Sequence, residues 1–161
     1  MLNLLNNSEQ QEIIDYCSSK YGLTPSHWEK FEMRKSSEAI WIAPKELGIF
    51  LSEQAIGDCE TAGTRIFSGK KFPYKITDSF ISLFGESLNS GVIELRGEQV
   101  KKLLFKKEII LEDEYRGLEG YVVIKFKDYF VGVGLKRGSK IDSQIPKKLV
   151  NQLSEKLELR D

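Results

Sequence analysis

The stretch GYVVIKFKDYFVGVGLKRGSK (Gly120–Lys140) decides how the second half of the chain is read. Val122, Ile124 and Phe126 alternate with Tyr121, Val123 and Lys125, which is the period of a β-strand. Lys127–Tyr129 supplies a turn. Val131, Val133 and Leu135 then alternate with Gly132 and Gly134, and Lys136, Arg137 and Lys140 follow. The glycines could cradle a nucleotide phosphate or could relax a strand. A dinucleotide loop needs G-x-G-x-x-G opening a helix, so that the pyrophosphate meets helix N–H groups. Here Gly132, Gly134 and Gly138 give G-x-G-x-x-x-G, and KRGSKID has no helical apolar period. Two glycines on one face of a strand instead mark a bend or a close approach of other chain atoms. Such bends let a small barrel close.

Upstream of this hairpin, Val92–Leu95 is expected to be a strand and Gly97–Phe105 a short amphipathic helix. Val100, Leu103 and Leu104 lie on one side of that helix, Lys101 and Lys102 on the other. Glu108–Leu111 reads as a strand and Glu112–Gly120 as a polar loop, whose carboxylates Glu112, Asp113 and Glu114 need no more than solvent. Lys136–Lys140 is expected to be a basic loop. Leu149, Leu153 and Leu157 recur at helical spacing in the tail.

The first half is mixed. S-x-x-Q at Ser8–Gln11 reads as a capping box opening a helix with Ile13, Ile14 and Cys17 on its apolar face, stopped by Gly22. Phe31–Lys35 and Ala39–Ala43 read as strands joined through Ser36–Glu38, and Gly48–Ser52 as a third short strand. Ala62–Phe67 and Pro73–Thr77 read as a hairpin with SGKK (68–71) at its tip. Asp78–Gly85 carries Phe80, Ile81 and Phe84 on one helical face. The polar SLNSG (87–91) is the expected junction, giving domains 1–87 and 88–161. The fold class is therefore α+β: a mixed α/β domain, then a β pseudo-barrel.

Composition bounds the chemistry. The chain has 161 residues, 40% hydrophobic and 30% charged, with 24 basic against 24 acidic side chains. Residues 1–95 carry 9 Lys/Arg against 13 Asp/Glu, a net of −4, while residues 96–161 carry 15 against 11, a net of +4. A basic half points towards nucleic acid. Cys17 and Cys59 form no CxxC, so no disulfide framework is expected. The N-terminus lacks the basic and apolar regions of a signal peptide, and no apolar run approaches the roughly 20 residues that span a bilayer. These features lead to the expectation of a cytoplasmic protein that engages no membrane.

His27 is the single histidine, so no Ser-His-Asp set or convincing zinc site can be assembled. SGKK lacks the P-loop frame. No catalytic residue, metal or cofactor is expected. What remains is basic clustering. Lys136, Arg137, Lys140, Lys147 and Lys148 stand against one acid, Asp142. Lys101, Lys102, Lys106 and Lys107 surround the short helix, and Arg65, Lys70, Lys71 and Lys75 surround the first-half hairpin. Clusters of this kind neutralise phosphate backbones in a salt-sensitive, sequence-independent way.

The order VIELRGEQVKKLLFKKEII…EGYVVIKFKDYFVGVGLKRG resembles a PUA domain over about Gly91–Lys148. PUA domains are small RNA-binding pseudo-barrels of pseudouridine synthases, archaeosine transglycosylases and other RNA-modifying enzymes. GDCETAGTRIFSGKKFPYKITDSFISLF (57–84) is similar to the α/β domain that precedes PUA in a family of ribosome-biogenesis factors. Similar PUA-bearing segments accompany RNA cytosine methyltransferases, and a stand-alone archaeal protein of either lineage would suit the chain. The resemblance implies RNA binding without catalysis. It puts RNA against Lys106, Lys107, Lys136 and Arg137, extended by Lys140, Lys147 and Lys148, with Arg65, Lys70 and Lys71 as a secondary site. The glycine usual after the PUA helix is replaced at the position read as Lys106.

The function expected is a non-catalytic binder of structured RNA, rRNA or tRNA, in ribosome maturation or tRNA modification. Its partners would include an RNA-modifying enzyme or a ribosome-assembly protein. The alternative is a protein–protein adaptor in such a complex. Tyr121, Tyr129 and Phe130 are candidates for base stacking, against the commoner role of packing in a sheet.

Overall fold

The computed structural model describes residues 1–47, 55, 62–112 and 114–159. The strand expected at 48–52, Cys59 and Asp113 lie outside the described residues. The chain divides into two compact units, Met1–Ser90 and Gly91–Asp161. It is mixed α and β in both.

The first unit opens with a two-residue strand, β1 (Asn3–Leu4), and helix α1 (Asn7–Tyr21). The cap of α1 is Asn6, not Ser8. The Asn6 side chain accepts the Glu9 N–H at 2.8 Å, and the Asn6 N–H donates to Glu9 Oε2 at 2.9 Å. The reciprocal box therefore sits two residues earlier than expected. Asn caps as well as Ser does, and Glu completes the box as well as Gln. Gly22 ends the helix at φ 72°, as its sequence position suggests.

Strands β2 (Phe31–Lys35), β3 (Ala39–Pro44), β4 (Thr64–Ser68) and β5 (Lys75–Ile76) follow, then α2 (Asp78–Phe84), capped by the Thr77 side chain. The sheet order is β1-β2-β3-β4-β5, and every pairing is antiparallel. Ile40, Ile42, Ile66, Phe67 and Ile76 are buried, as are Phe80 and Phe84 of α2 and Cys17 and Tyr21 of α1. Phe80 lies 5.3–5.4 Å, centroid to centroid, from Tyr21, Phe67 and Phe84, within the range of favourable aromatic pairs.

The second unit begins with β6 (Val92–Glu94) and α3 (Gly97–Lys106), which leads into β7 (Glu108–Ile110). Strands β8 (Gly120–Phe126), β9 (Tyr129–Arg137) and β10 (Lys140–Ser143) and helix α4 (Lys147–Lys156) complete it. The order is β6-β8-β9-β10-β7, with β6 parallel to β8 and the other pairs antiparallel. Strand pairing leaves β6 and β7 as edges. Val100, Leu103 and Leu104 of α3 and Val150 of α4 pack with Ile93, Ile109, Val122, Ile124 and Ile141 in one core.

One expected loop is a strand. The chain after the GVG stretch continues as β9 to Arg137, turns at Gly138–Ser139, and returns as β10. Only Ile141 in this segment is apolar and buried, so alternation had too little to work with.

The glycines of β9 serve packing. A β-carbon on Gly134 would lie 2.8 Å from Ile141 Cγ2, and one on Gly132 would lie 2.8 Å from Ile145 Cγ1. Gly132 stands opposite Ile124, beside the register shift at Ile124/Lys125, where β9 carries an extra residue. Both glycines are buried within the ladder.

Candidate nucleic-acid interface

The expected RNA-binding residues of the second unit fall into two groups. The first lies where α3 ends and α4 begins. Lys106 is the last residue of α3 and is exposed. Lys107 follows at φ 66°, so the left-handed position after the helix is Lys107 and not Lys106. Its ammonium donates to the Ile145 carbonyl at 3.1 Å, and its own carbonyl accepts the Ser143 N–H at 2.7 Å. Lys107 thus fastens α3 to the β10–α4 connection and is half-buried. Two residues beyond Ile145, the exposed Lys147 and Lys148 begin α4. That first turn carries no acid. Cations at a helix N-terminus oppose the helix dipole, at about 0.3–1 kcal/mol each, so this end is electropositive at some expense of stability.

The second group is the β9–β10 turn, about 10 Å from the first along the three-residue step from Lys140 to Ser143. Arg137 is exposed. Lys140 is exposed but clamped, 2.8 Å from Glu108 and 3.3 Å from Asp142. Its hydrogen bond to Glu108, then that to Asp142, holds its ammonium above the usual lysine range. Lys136 differs from the rest: it is 3% exposed. Its ammonium donates to the Gly138 carbonyl, with Glu119 4.0 Å away. The Glu119 carboxylate also accepts the Gly138 N–H at 3.0 Å. Lys136 therefore closes the hairpin turn from inside. Period-2 alternation does put residue 136 on the Gly132/Gly134 side, and that signal was overridden by its charge.

In the first unit, Arg65 lies on β4 and is exposed, and Lys70 and Lys71 are exposed beyond its end. Lys70 pairs with Glu38 at 3.4 Å across open surface, a contact of little net worth. The sequence reading passed over Trp41. It stands on β3 as the register partner of both Arg34 and Arg65, and lines a cleft with Arg65 and Lys70. An indole between two basic positions on neighbouring strands is a signal that register alone reveals.

Of the stacking candidates, Tyr129 is exposed, while Tyr121 and Phe130 are half-buried. Lys125 lies over the Phe130 ring at 5.6 Å and Lys156 over Tyr129 at 5.9 Å. Phe105, beside Lys106 in the chain, and Ile110, at the end of β7, are exposed apolar residues.

His27 Nδ1 accepts the Thr24 N–H at 3.0 Å, a turn-forming role. Cys17 is wholly buried, and burial pushes its thiol up to about 12, so it is unreactive near neutrality. Among the described residues no group of three His, Cys, Asp or Glu side chains could hold a metal, and no helix is long and apolar enough to cross a membrane.

The exposed cations Lys106, Lys147 and Lys148 thus lie at the α3–α4 corner, and Arg137 lies at the β9–β10 turn. The chain is similar to ribosomal RNA small subunit methyltransferase F. It is 21% identical over 143 residues to that of Psychromonas ingrahamii, covering 88% of this chain and 29% of the relative. It is 22% identical over 144 residues to that of Aeromonas hydrophila and 19% identical over 142 residues to that of Aeromonas salmonicida, covering 28% of each. The chain thus spans under a third of the length of these methyltransferase F relatives. No protein-family profile matches it.

Proposed function

We propose that this chain is a non-catalytic RNA-binding protein that holds structured ribosomal RNA, or tRNA, on the basic surface of its second unit. In this reading the second unit is a PUA-like domain and the first the α/β domain preceding it. The observation that carries the reading is a set of four exposed cations, Lys106, Arg137, Lys147 and Lys148. None is in an ion pair among the described residues. Such side chains neutralise phosphates and release counterions, and the shape of the RNA selects the partner more than its sequence does. Lys140 joins them when RNA phosphate displaces Glu108 or Asp142. Lys107 and Lys136 act from behind by holding the corner and the turn. The likeness to ribosomal RNA methyltransferases over 88% of the chain supports ribosomal RNA as the first substrate to test. The protein would act in the cytoplasm as an accessory to an RNA-modifying or ribosome-assembly factor.

The test is binding of a folded small-subunit rRNA fragment by the chain and by a Lys106→Gln, Arg137→Gln, Lys147→Gln, Lys148→Gln variant. Binding that weakens steeply with salt, and is lost in the variant, is expected. Equal binding by both would remove the surface from the reading.

One observation favours a second reading, a protein–protein adaptor. Phe105 on α3 is 51% exposed and Ile110 at the end of β7 is 65% exposed. A partner still recovered from cells after RNase treatment would favour it. Loss of that partner on RNase treatment would return these residues to the RNA surface.

A further inference from the structure

The sheet of the first unit carries, on the Trp41 side, a cleft of about 550 Å³, within the usual range for small-ligand sites. Trp41 forms part of its wall, with Arg65, Lys70, Ser36, Ser68 and one acid, Glu38. Ile40 and Ile42, the neighbours of Trp41 on β3, are each 2% exposed in the core, so the indole points to the opposite face. The register shift between Ile40 and Trp41 leaves Ile66 as an extra residue on β4. The ring is half-buried, and its Nε1–H donates to Ser36 Oγ at 3.4 Å, which limits its rotation. Arg65, directly across from it on β4, is exposed and meets no carboxylate among the described residues. Lys70 pairs at 3.4 Å with Glu38, an exposed acid that also lines the cleft and that a phosphate would have to displace. A fixed aromatic plane, a free guanidinium one strand away, a second cation and small hydroxyls match the parts of a nucleotide: base, phosphate and ribose. An acyl chain or other apolar ligand would strand these cations.

We propose that this cleft holds one unpaired nucleotide of single-stranded RNA, its base stacked on Trp41 and its flanking phosphates at Arg65 and Lys70. The proposal deepens the RNA-binding reading above and rests on it. It adds a second element of recognition: the basic surface of the second unit takes folded RNA, and this cleft takes an unpaired residue. Base–aromatic stacking tolerates any base, so the cleft selects for strandedness rather than sequence.

The chain has two tryptophans, Trp28 and Trp41, so Trp28→Phe leaves Trp41 as the only indole. Its fluorescence would be followed while hexa-adenylate RNA, or a short RNA duplex, is added. Saturable quenching by the single strand and none by the duplex is expected. In the native chain, Trp41→Ala should weaken hexamer binding about tenfold, whereas Trp41→Phe keeps a stacking ring and should stay within about threefold. Arg65→Gln should lower the salt slope by about 0.7, one single-strand phosphate. The fluorescence arm involves no truncation at Trp41, so a misfolded alanine variant does not spare the proposal. Unchanged Trp41 fluorescence at high hexamer concentration overturns it. If folded rRNA is still bound with salt dependence in that case, only the cleft is lost. If folded rRNA is not bound either, both readings fall.

Discussion

The Lys107 ammonium donates to the Ile145 carbonyl at 3.1 Å, and with the Ser143 N–H on the Lys107 carbonyl this ties the end of α3 to the segment leading into α4. It joins the two helix ends that carry Lys106, Lys147 and Lys148. Lys107 also sits at φ 66°, where glycine is unstrained and lysine is not. Lys107→Ala keeps the strain and loses the bond, and should destabilise the protein by about 1–2 kcal/mol. Lys107→Gly loses the same bond but removes the strain, and should be about 1 kcal/mol better than the alanine variant. Urea unfolding of the two proteins, compared at equal slope, measures the difference.

Gly134 and Gly132 allow the sheet to close on Ile141 and Ile145. Gly134→Ala brings a β-carbon to 2.8 Å from Ile141 Cγ2 and 3.2 Å from Ile124 Cδ1. Gly132→Ala meets Ile145 Cγ1 at 2.8 Å. Each should cost about 1–3 kcal/mol through overpacking. Gly117→Ala, with nothing within 4 Å, pays only for its positive φ of 82° and should cost about 1–2 kcal/mol. Thermal melts of the three variants give the order.

Glu9 serves both the α1 cap and an ion pair with Lys35 on β2. The Lys35 hydrogen bond, then that from Asn6, holds its carboxyl below the ordinary value of 4.5. A depressed folded pKa means the stabilisation is full above the unfolded value and disappears as pH falls through the folded one. Wild type should therefore lose its advantage over Glu9→Gln as the pH drops below about 4.5, while near pH 7 the variant is weaker by about 0.5 kcal/mol. Parallel urea curves at pH 7 and pH 3 measure it; an equal difference at both values would remove the ion pair as its source.

Much of this architecture is legible in the chain. The Val100, Leu103, Leu104 spacing marks α3, because one apolar face dictates its period, and the alternation of Val122, Ile124 and Phe126 marks β8 although Val123 is buried on its other face. Other features required the tertiary structure. Asn6 and Ser8 are both competent caps, and the choice follows from Glu9 reaching Lys35 as well as the Asn6 N–H. β10 carries a single buried apolar residue, Ile141, so its charges read as a loop. Lys136 is a lysine in sequence and an internal clasp in the fold, since the Gly138 carbonyl and Glu119 wait for it. Trp41 and Arg65 are 24 positions apart in the chain. Only their strand register makes them neighbours.

Glu108 and Asp142 restrain Lys140 in the free protein. Removing Glu108, the larger influence on its ammonium, should release the cation towards RNA. Glu108→Gln should tighten binding of folded rRNA about two- to fivefold at low salt, and the gain should shrink as salt rises. Fluorescence anisotropy with a labelled rRNA fragment reads both effects. Weaker binding would show that Glu108 positions Lys140 rather than competing for it.

The most direct measurement is the slope of log Kd against log salt for a folded rRNA fragment, taken for wild type and for the Lys147→Gln, Lys148→Gln variant. Each phosphate contact contributes about 0.9 to that slope for duplex. Loss of two contacts should flatten it by about 1.8, with the melting temperature unchanged or raised, because two cations leave the positive end of α4. An unchanged slope would contradict a phosphate-binding surface at the α3–α4 corner.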